Sequence, residues 1–375
     1  MRPGRHARGA GTLPRSLVAL GAAAILAGTG TALWLLPTVP DAQWATPSRP
    51  SPPETLVAAR QTITVLTQAS PASPGAGVSA SAMRPPAGSG APPYGRTGGR
   101  RYVGFLDVTR DARGVAAPGH DAGGDRRERV RRYTIGHLIA GPDGCTPRWA
   151  GSTAQGRGTV AARLARIRAE GGEARLAFGG PSGPEPSATC RGEARLVAAY
   201  RRLIAAYDPE GIDFEVADSA DSLATGRRAG AIVRLQAEAR DRGRTLGVSF
   251  TLPATERGLS SADLAMLRAT REAGASVDGI GLLVPVTPGS AANLSRLTAA
   301  ARSAHDQLGV ALGVAGPRVW GLMGLTPVLT TPRDLDTADA RRLVAFSARN
   351  GLGWLSVRGA TPPDEVVELL AEPGL

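Results

Sequence analysis

From Arg101 onward, short apolar runs alternate with stretches whose apolar positions recur at helical spacing. The runs predict strands over Tyr102–Thr109, Tyr133–Ala140, Glu173–Gly179, Gly211–Ala217, Leu246–Leu252, Gly279–Val286, Trp320–Leu329 and Gly353–Arg358. Amphipathic periodicity predicts helices over Thr159–Glu170, Glu193–Tyr207, Arg227–Arg242, Ser261–Ala273, Ala291–Leu308 and Thr337–Asn350. Strand and helix in regular alternation give an α/β fold with a parallel sheet. Eight such strands in about 275 residues match the number and size of a (β/α)8 TIM barrel. Within the strand at 211–217, Ile212, Phe214 and Val216 fall on one side and Asp213, Glu215 and Ala217 on the other. A closed parallel barrel covers both faces of its sheet, so the polar side faces the interior or the mouth. Burying two neighbouring carboxylates is costly unless a site needs them, which marks this strand as the place to look for chemistry.

The residues before the barrel follow a different logic. Arg2, Arg5, Arg8 and Arg15 make residues 1–16 a basic segment, and no charge interrupts Leu17–Leu36. Twenty helical residues span about 30 Å, the width of a bilayer's hydrocarbon core. Basic flanks stay cytoplasmic, so the chain beyond 36 is expected outside, whether 17–36 is an uncleaved transmembrane anchor or a cleaved signal peptide. Both readings place the protein at the extracellular face of the cell membrane or in the medium. Residues 37–99 are rich in Pro, Ala, Ser and Gly and bury too little to offset ordering entropy. They read as a linker with a reach on the order of 40 Å, with Leu56–Leu66 a short exception. The barrel then occupies 100–375.

Charge adds little to this division. The net charge is +12 with a pI near 11.0, and none of the 44 basic residues is lysine. The arginines are scattered and often adjoin an acid, as in Arg240-Asp241-Arg242; the densest run, Arg126–Arg132, has only Tyr133 beside it for stacking. A specific nucleic-acid partner is therefore not expected, while binding of an anionic polymer through the arginine-rich surface stays open. The four His and two Cys show no metal-ligand spacing, and nothing implies a metal or a cofactor. Outside the cell an even pair such as Cys145 and Cys190 pairs more often than it stays as two buried thiols.

Several short motifs point the same way. Gly211-Ile212-Asp213-Phe214-Glu215-Val216-Ala217 resembles the fourth-strand signature Asp-Gly-x-Asp-x-Asp-x-Glu of glycoside hydrolase family 18, the bacterial chitinase type. Gly144-Cys145-Thr146-Pro147-Arg148-Trp149, Ala177-Phe178-Gly179-Gly180 and Ser249-Phe250-Thr251-Leu252-Pro253 are similar to its second-, third- and fifth-strand segments in the actinobacterial branch. Gly324-Leu325-Thr326-Pro327 and Gly351-Leu352-Gly353-Trp354-Leu355-Ser356 resemble its seventh and eighth. Six matches in order at barrel spacing imply a chitinase-like barrel. The branch also carries a Cys at both positions, which implies that Cys145 and Cys190 tie the loop after the second strand to the segment after the third.

The same resemblance shows what has changed. The family cleaves β-1,4-linked N-acetylglucosamine with help from the substrate's own acetamide, outside the ordinary two-carboxylate scheme. Its final Glu donates the proton, and an Asp two residues earlier orients the acetamide. Here those positions are Ala217 and Glu215, and the next Asp upstream is kept as Asp213. Proton donation is worth roughly 10²–10⁴-fold, and an alanine has no proton to give. Asp218 and Glu215 are the candidate substitutes. The first flips to the other face unless the strand has ended or bulged, and the second sits about 6.6 Å deeper. The sixth-strand polar pair aligns with Val286 and Thr287, the eighth-strand Trp beneath the sugar with Arg358, and Asp107 matches a family position that is equally well a turn carboxylate.

Three functions follow from these residues. The first is an exported, membrane-tethered, chitinase-like barrel that is inactive, a pseudoenzyme binding a glycan or cell-envelope polymer, with Asp107 and Arg358 as substrate-binding remnants. The second is an active glycosidase with a relocated acid at Glu215 or Asp218, Asp213 remaining from the motif. The third is the anionic-polymer binder.

Overall fold

The computed structural model describes residues 102–111, 130–151 and 154–372. Segment 17–36, the linker 37–99 and Arg126–Arg129 lie outside these residues. Among the described residues no helix is long and apolar enough to cross a membrane.

Among the described residues ten strands form one sheet: β1 (Val103–Asp107), β2 (Arg132–Ala140), β3 (Pro147–Trp149), β4 (Glu173–Gly179), β5 (Gly211–Glu215), β6 (Gly247–Pro253), β7 (Gly279–Pro285), β8 (Met323–Leu329), β9 (Trp354–Leu355) and β10 (Arg358–Gly359). They follow the order β1-β2-β4-β5-β6-β7-β8-β10, with every neighbour on that path parallel. β9 pairs with β8 as well, so the eighth staff is broken in two. A parallel bridge from Tyr102 to Leu355 brings it against the start of β1. The result is a nearly closed α/β barrel of the TIM type.

The faces of β5 show why the chain folds this way. Ile212 and Phe214 are fully buried on the outer side. Phe214 lies 5.7 Å from Phe178 and 5.6 Å from Phe250, ring centre to ring centre, and Tyr200 of the helix Glu193–Tyr207 closes the cluster. Inside, small residues make room for large ones. A Cβ on Gly324 would collide with the Trp354 indole, whose far edge lies 3.7 Å from where a Cβ on Gly281 of β7 would sit.

Helix starts are set by side-chain caps. Ser260 and Asp263 form a reciprocal capping box before Ser261–Glu272, Asp221 caps Ser222–Asp241, and Asp336 caps Thr337–Asn350. The strand predicted over 211–217 ends at Glu215, whose carbonyl accepts from the Gly180 amide. Asp218 Oδ1 then accepts from the Ala220 amide at 3.0 Å, turning the chain toward the Asp221 cap.

β3 folds back antiparallel on the end of β2, and Cys145 in the intervening turn is disulfide-bonded to Cys190, with Cα atoms 4.5 Å apart. The cross-link closes a loop of 45 residues. In the chain-entropy picture that constrains the unfolded chain by about 4 kcal/mol. Reduction is expected to lower the thermal midpoint by several degrees, read by calorimetry with and without reductant; an unchanged midpoint would show that the bridge adds nothing to the hairpin's own packing.

Candidate functional site

The inward face of β5 meets its neighbours in register, with Ala177, Asp213 and Ser249 side by side and Gly179, Glu215 and Thr251 one layer above. The Ser249 hydroxyl donates to Asp213 Oδ1 at 2.6 Å. Asp213 is 3 % exposed, and its Oδ2 has no hydrogen-bond partner among the described residues. Burial raises its carboxyl above the ordinary value, although the Ser249 and Thr251 hydroxyls and the Arg358 charge pull the other way.

One layer up, three side chains converge. Glu215 Oε2 lies 3.0 Å from His137 Nε2 and 3.6 Å from Arg358 Nη2. Burial opposes the ionised form of Glu215, but the His137 hydrogen bond and the Arg358 charge outweigh it and hold the carboxyl below its ordinary value. An ionised carboxylate only accepts, so the His137 tautomer here carries its proton on Nε2. The Arg358 guanidinium lies 3.1 Å above the centre of the Phe105 ring, a cation–π contact at van der Waals separation. Burial lowers the Arg358 value, while Glu215, Asp213 and Asp107 act to raise it. The side chains of His137, Glu215 and Arg358 are 5 %, 11 % and 11 % exposed, so the cluster is largely shielded from solvent.

Asp107, at the end of β1, has taken the turn role: Oδ1 accepts from the Thr109 amide at 2.9 Å and from its hydroxyl at 2.6 Å. Its charge still acts on both Glu215 and Arg358. The structure thus gathers Asp107, Asp213, Glu215 and Arg358 at the C-terminal end of the barrel, where sites of this architecture lie. Asp218 is not among them. It is exposed beyond the strand end beside an equally exposed Ala217. Val286 is buried in the core, and Thr287 is tied through its amide and carbonyl to Asn293.

His137 is the member that periodicity does not pick out. The β2–β4 register shifts between Ile135 and Leu138, so His137 leaves the strict alternation of its strand. Its carbonyl accepts from Ala150 across the β2–β3 hairpin, and any Cβ on Gly180 would strike its ring. The glycine pair at 179–180 is the sequence signal of that close approach. Among the described residues no group of three or more His, Cys, Asp or Glu is placed to hold a metal ion.

No model of a known protein family matches the chain. A probable bifunctional chitinase/lysozyme of Escherichia coli (strain K12) is 21 % identical over 253 residues, a match spanning 62 % of this chain and 28 % of that protein. Catalytic-site mutants of active domain 2 of a thermostable chitinase from Pyrococcus furiosus, complexed with chito-oligosaccharides, superpose with a TM-score of 0.57 and 20 % identity over 72 % of this chain and 95 % of theirs. A family GH18 chitinase from Cycas revoluta, in complex with allosamidin, gives 0.51 and 12 % over 72 % and 97 %. In strand order and near-closure the described residues share the α/β barrel fold of these chitinases.

Proposed function

We propose that this protein is an exported chitinase-like barrel that engages a glycan or cell-envelope polymer without cleaving it. In this reading, residues 17–36 either hold it at the outer face of the membrane or are removed on export. The observation that carries the reading is the state of Glu215. An acid catalyst must hold a proton at working pH, yet Glu215 is kept ionised by His137 and Arg358 and is almost enclosed. Asp218 spends its carboxylate on a turn, and Asp213 lies a layer below, bonded to Ser249. Ala217 supplies nothing at the position where the family keeps its donor.

Chito-oligosaccharides incubated at high protein loading are expected to release no reducing ends above buffer, with the Glu215→Gln and Asp218→Asn variants indistinguishable from wild type. Release that disappears in either variant would overturn the reading in favour of a relocated acid. Ala217→Glu is expected to stay below detection as well, because the sixth-strand polar pair is replaced by Val286 and Thr287 and the eighth-strand aromatic by Arg358.

A further inference from the structure

Outside the Glu215 cluster, the rim of the barrel offers a second place to hold a ligand. A cavity of about 440 Å³ opens there, over the ends of β6 and β7, lined by Ala254, Thr255, Glu256, Arg257, Pro285 and Arg296 among others. That volume is within the range of small-molecule sites. Its floor is apolar, from Ala254, Val284 and Pro285.

The loop that forms one wall is held far more firmly than a connection requires. Thr255 and Gly258 exchange backbone hydrogen bonds at 3.0 and 2.8 Å. The Ser303 hydroxyl donates to the Glu256 carbonyl at 2.9 Å, and the Gln307 amide donates to the Arg257 carbonyl at 3.0 Å while accepting from the Leu259 amide at 2.8 Å. Both anchors come from the helix Asn293–Leu312, which also supplies Arg296. The Arg296 guanidinium is fixed in turn by Glu256 at 3.0 Å and by the Thr287 hydroxyl at 2.7 Å. Arg257 makes no ion pair among the described residues and projects from this clamped turn. The pocket therefore has two guanidinium groups against one carboxylate, on a frame that needs little ordering to bind.

We infer that this rim pocket binds an acidic saccharide, its carboxylate on the Arg257 fork and its ring over Pro285. Arginine's planar donors suit a carboxylate, which they engage bidentately. The inference rests on the reading of the barrel as a non-cleaving glycan binder and names the class of glycan.

Calorimetric titration of the full chain with trigalacturonate, with chitotriose as the neutral comparator, tests it. Trigalacturonate is expected to bind in preference. Arg257→Gln should weaken it by about tenfold or more, the loss of a hydrogen bond between charged groups. Arg166→Gln, an exposed arginine on the helix Ala154–Ala169 before β4, away from β6 and β7 in the sheet order, makes the same change in net charge and should leave affinity within about twofold. Equal weakening by both variants would reduce the effect to overall charge and overturn the pocket. Chitotriose binding with no trigalacturonate binding would overturn the inference alone, and binding of neither would overturn the glycan-binding reading with it.

Discussion

Arg228→Met is expected to lower the unfolding free energy by about 3–5 kcal/mol, the usual result of stripping one partner from a buried ion pair. Arg228 and Glu185 have side chains 1 % and 3 % exposed, joined Nε to Oε1 at 2.8 Å. The other carboxylate oxygen accepts from the Tyr200 hydroxyl at 2.8 Å, and the Ser187 hydroxyl also donates to Glu185. Burial and the adjacent Glu185 charge push the Tyr200 hydroxyl far above its ordinary value, so it stays a donor at any workable pH. The guanidinium meets Met266 Sδ at 3.0 Å and lies 6.0 Å from the Phe214 and Phe250 rings, behind the strand that carries Glu215. Methionine fills the volume but leaves Glu185 charged and enclosed. Adding Glu185→Gln removes that charge and should recover a good part of the loss, which separates an orphaned ion from poor packing. Urea unfolding reads both; a single-variant loss below about 1 kcal/mol would mean that water reaches Glu185 and the pair is not truly enclosed.

This pair illustrates which features the sequence could carry. Parallel strands covered on both faces produce unbroken apolar runs, so β4 and the helices Glu193–Tyr207 and Thr337–Asn350 were legible to the residue. One start fixed by a side-chain cap was not. The helix expected from Arg227 begins at Ser222, where Asp221 accepts from the Ala224 amide, and its first turn hides behind an exposed Leu223. Glu185 and Arg228 are 43 positions apart, and an Arg227-Arg228 doublet reads as a solvated helix face until the fold turns one of them inward.

The site divides along the same line. Asp213 and Glu215 could be placed inside by alternation alone, and Arg358 drew notice through the aromatic residue it replaces. His137 escaped because a shifted register breaks the two-residue period that such readings depend on. The rim pocket escaped for a broader reason: its walls come from the loop after β6, the end of β7 and the following helix, and only their packing makes a cavity.

Arg358→Met should reverse the way Glu215 contributes to stability as pH changes. In the native cluster Glu215 lies below its ordinary value of 4.5, so its contribution is present above that value and lost as pH falls through the lower folded one. Without Arg358, burial and the Asp107 charge are opposed by His137 alone, and the folded value moves up. A raised carboxyl contributes stability below its unfolded value and loses it as pH rises, so the sign inverts. Asp213 moves in the same direction, since Arg358 is one of the groups holding it down. The difference between variant and wild type is therefore expected to be small near the carboxylate range and to widen to about 3–5 kcal/mol by roughly pH 7, the cost of an unpaired buried charge. Pairing the change with Glu215→Gln should flatten much of that widening. Denaturant unfolding across the range measures it directly. A gap that stays constant with pH would mean that Arg358 acts through its stacking on Phe105 rather than its charge, and Glu215 would then be free to hold a proton after all.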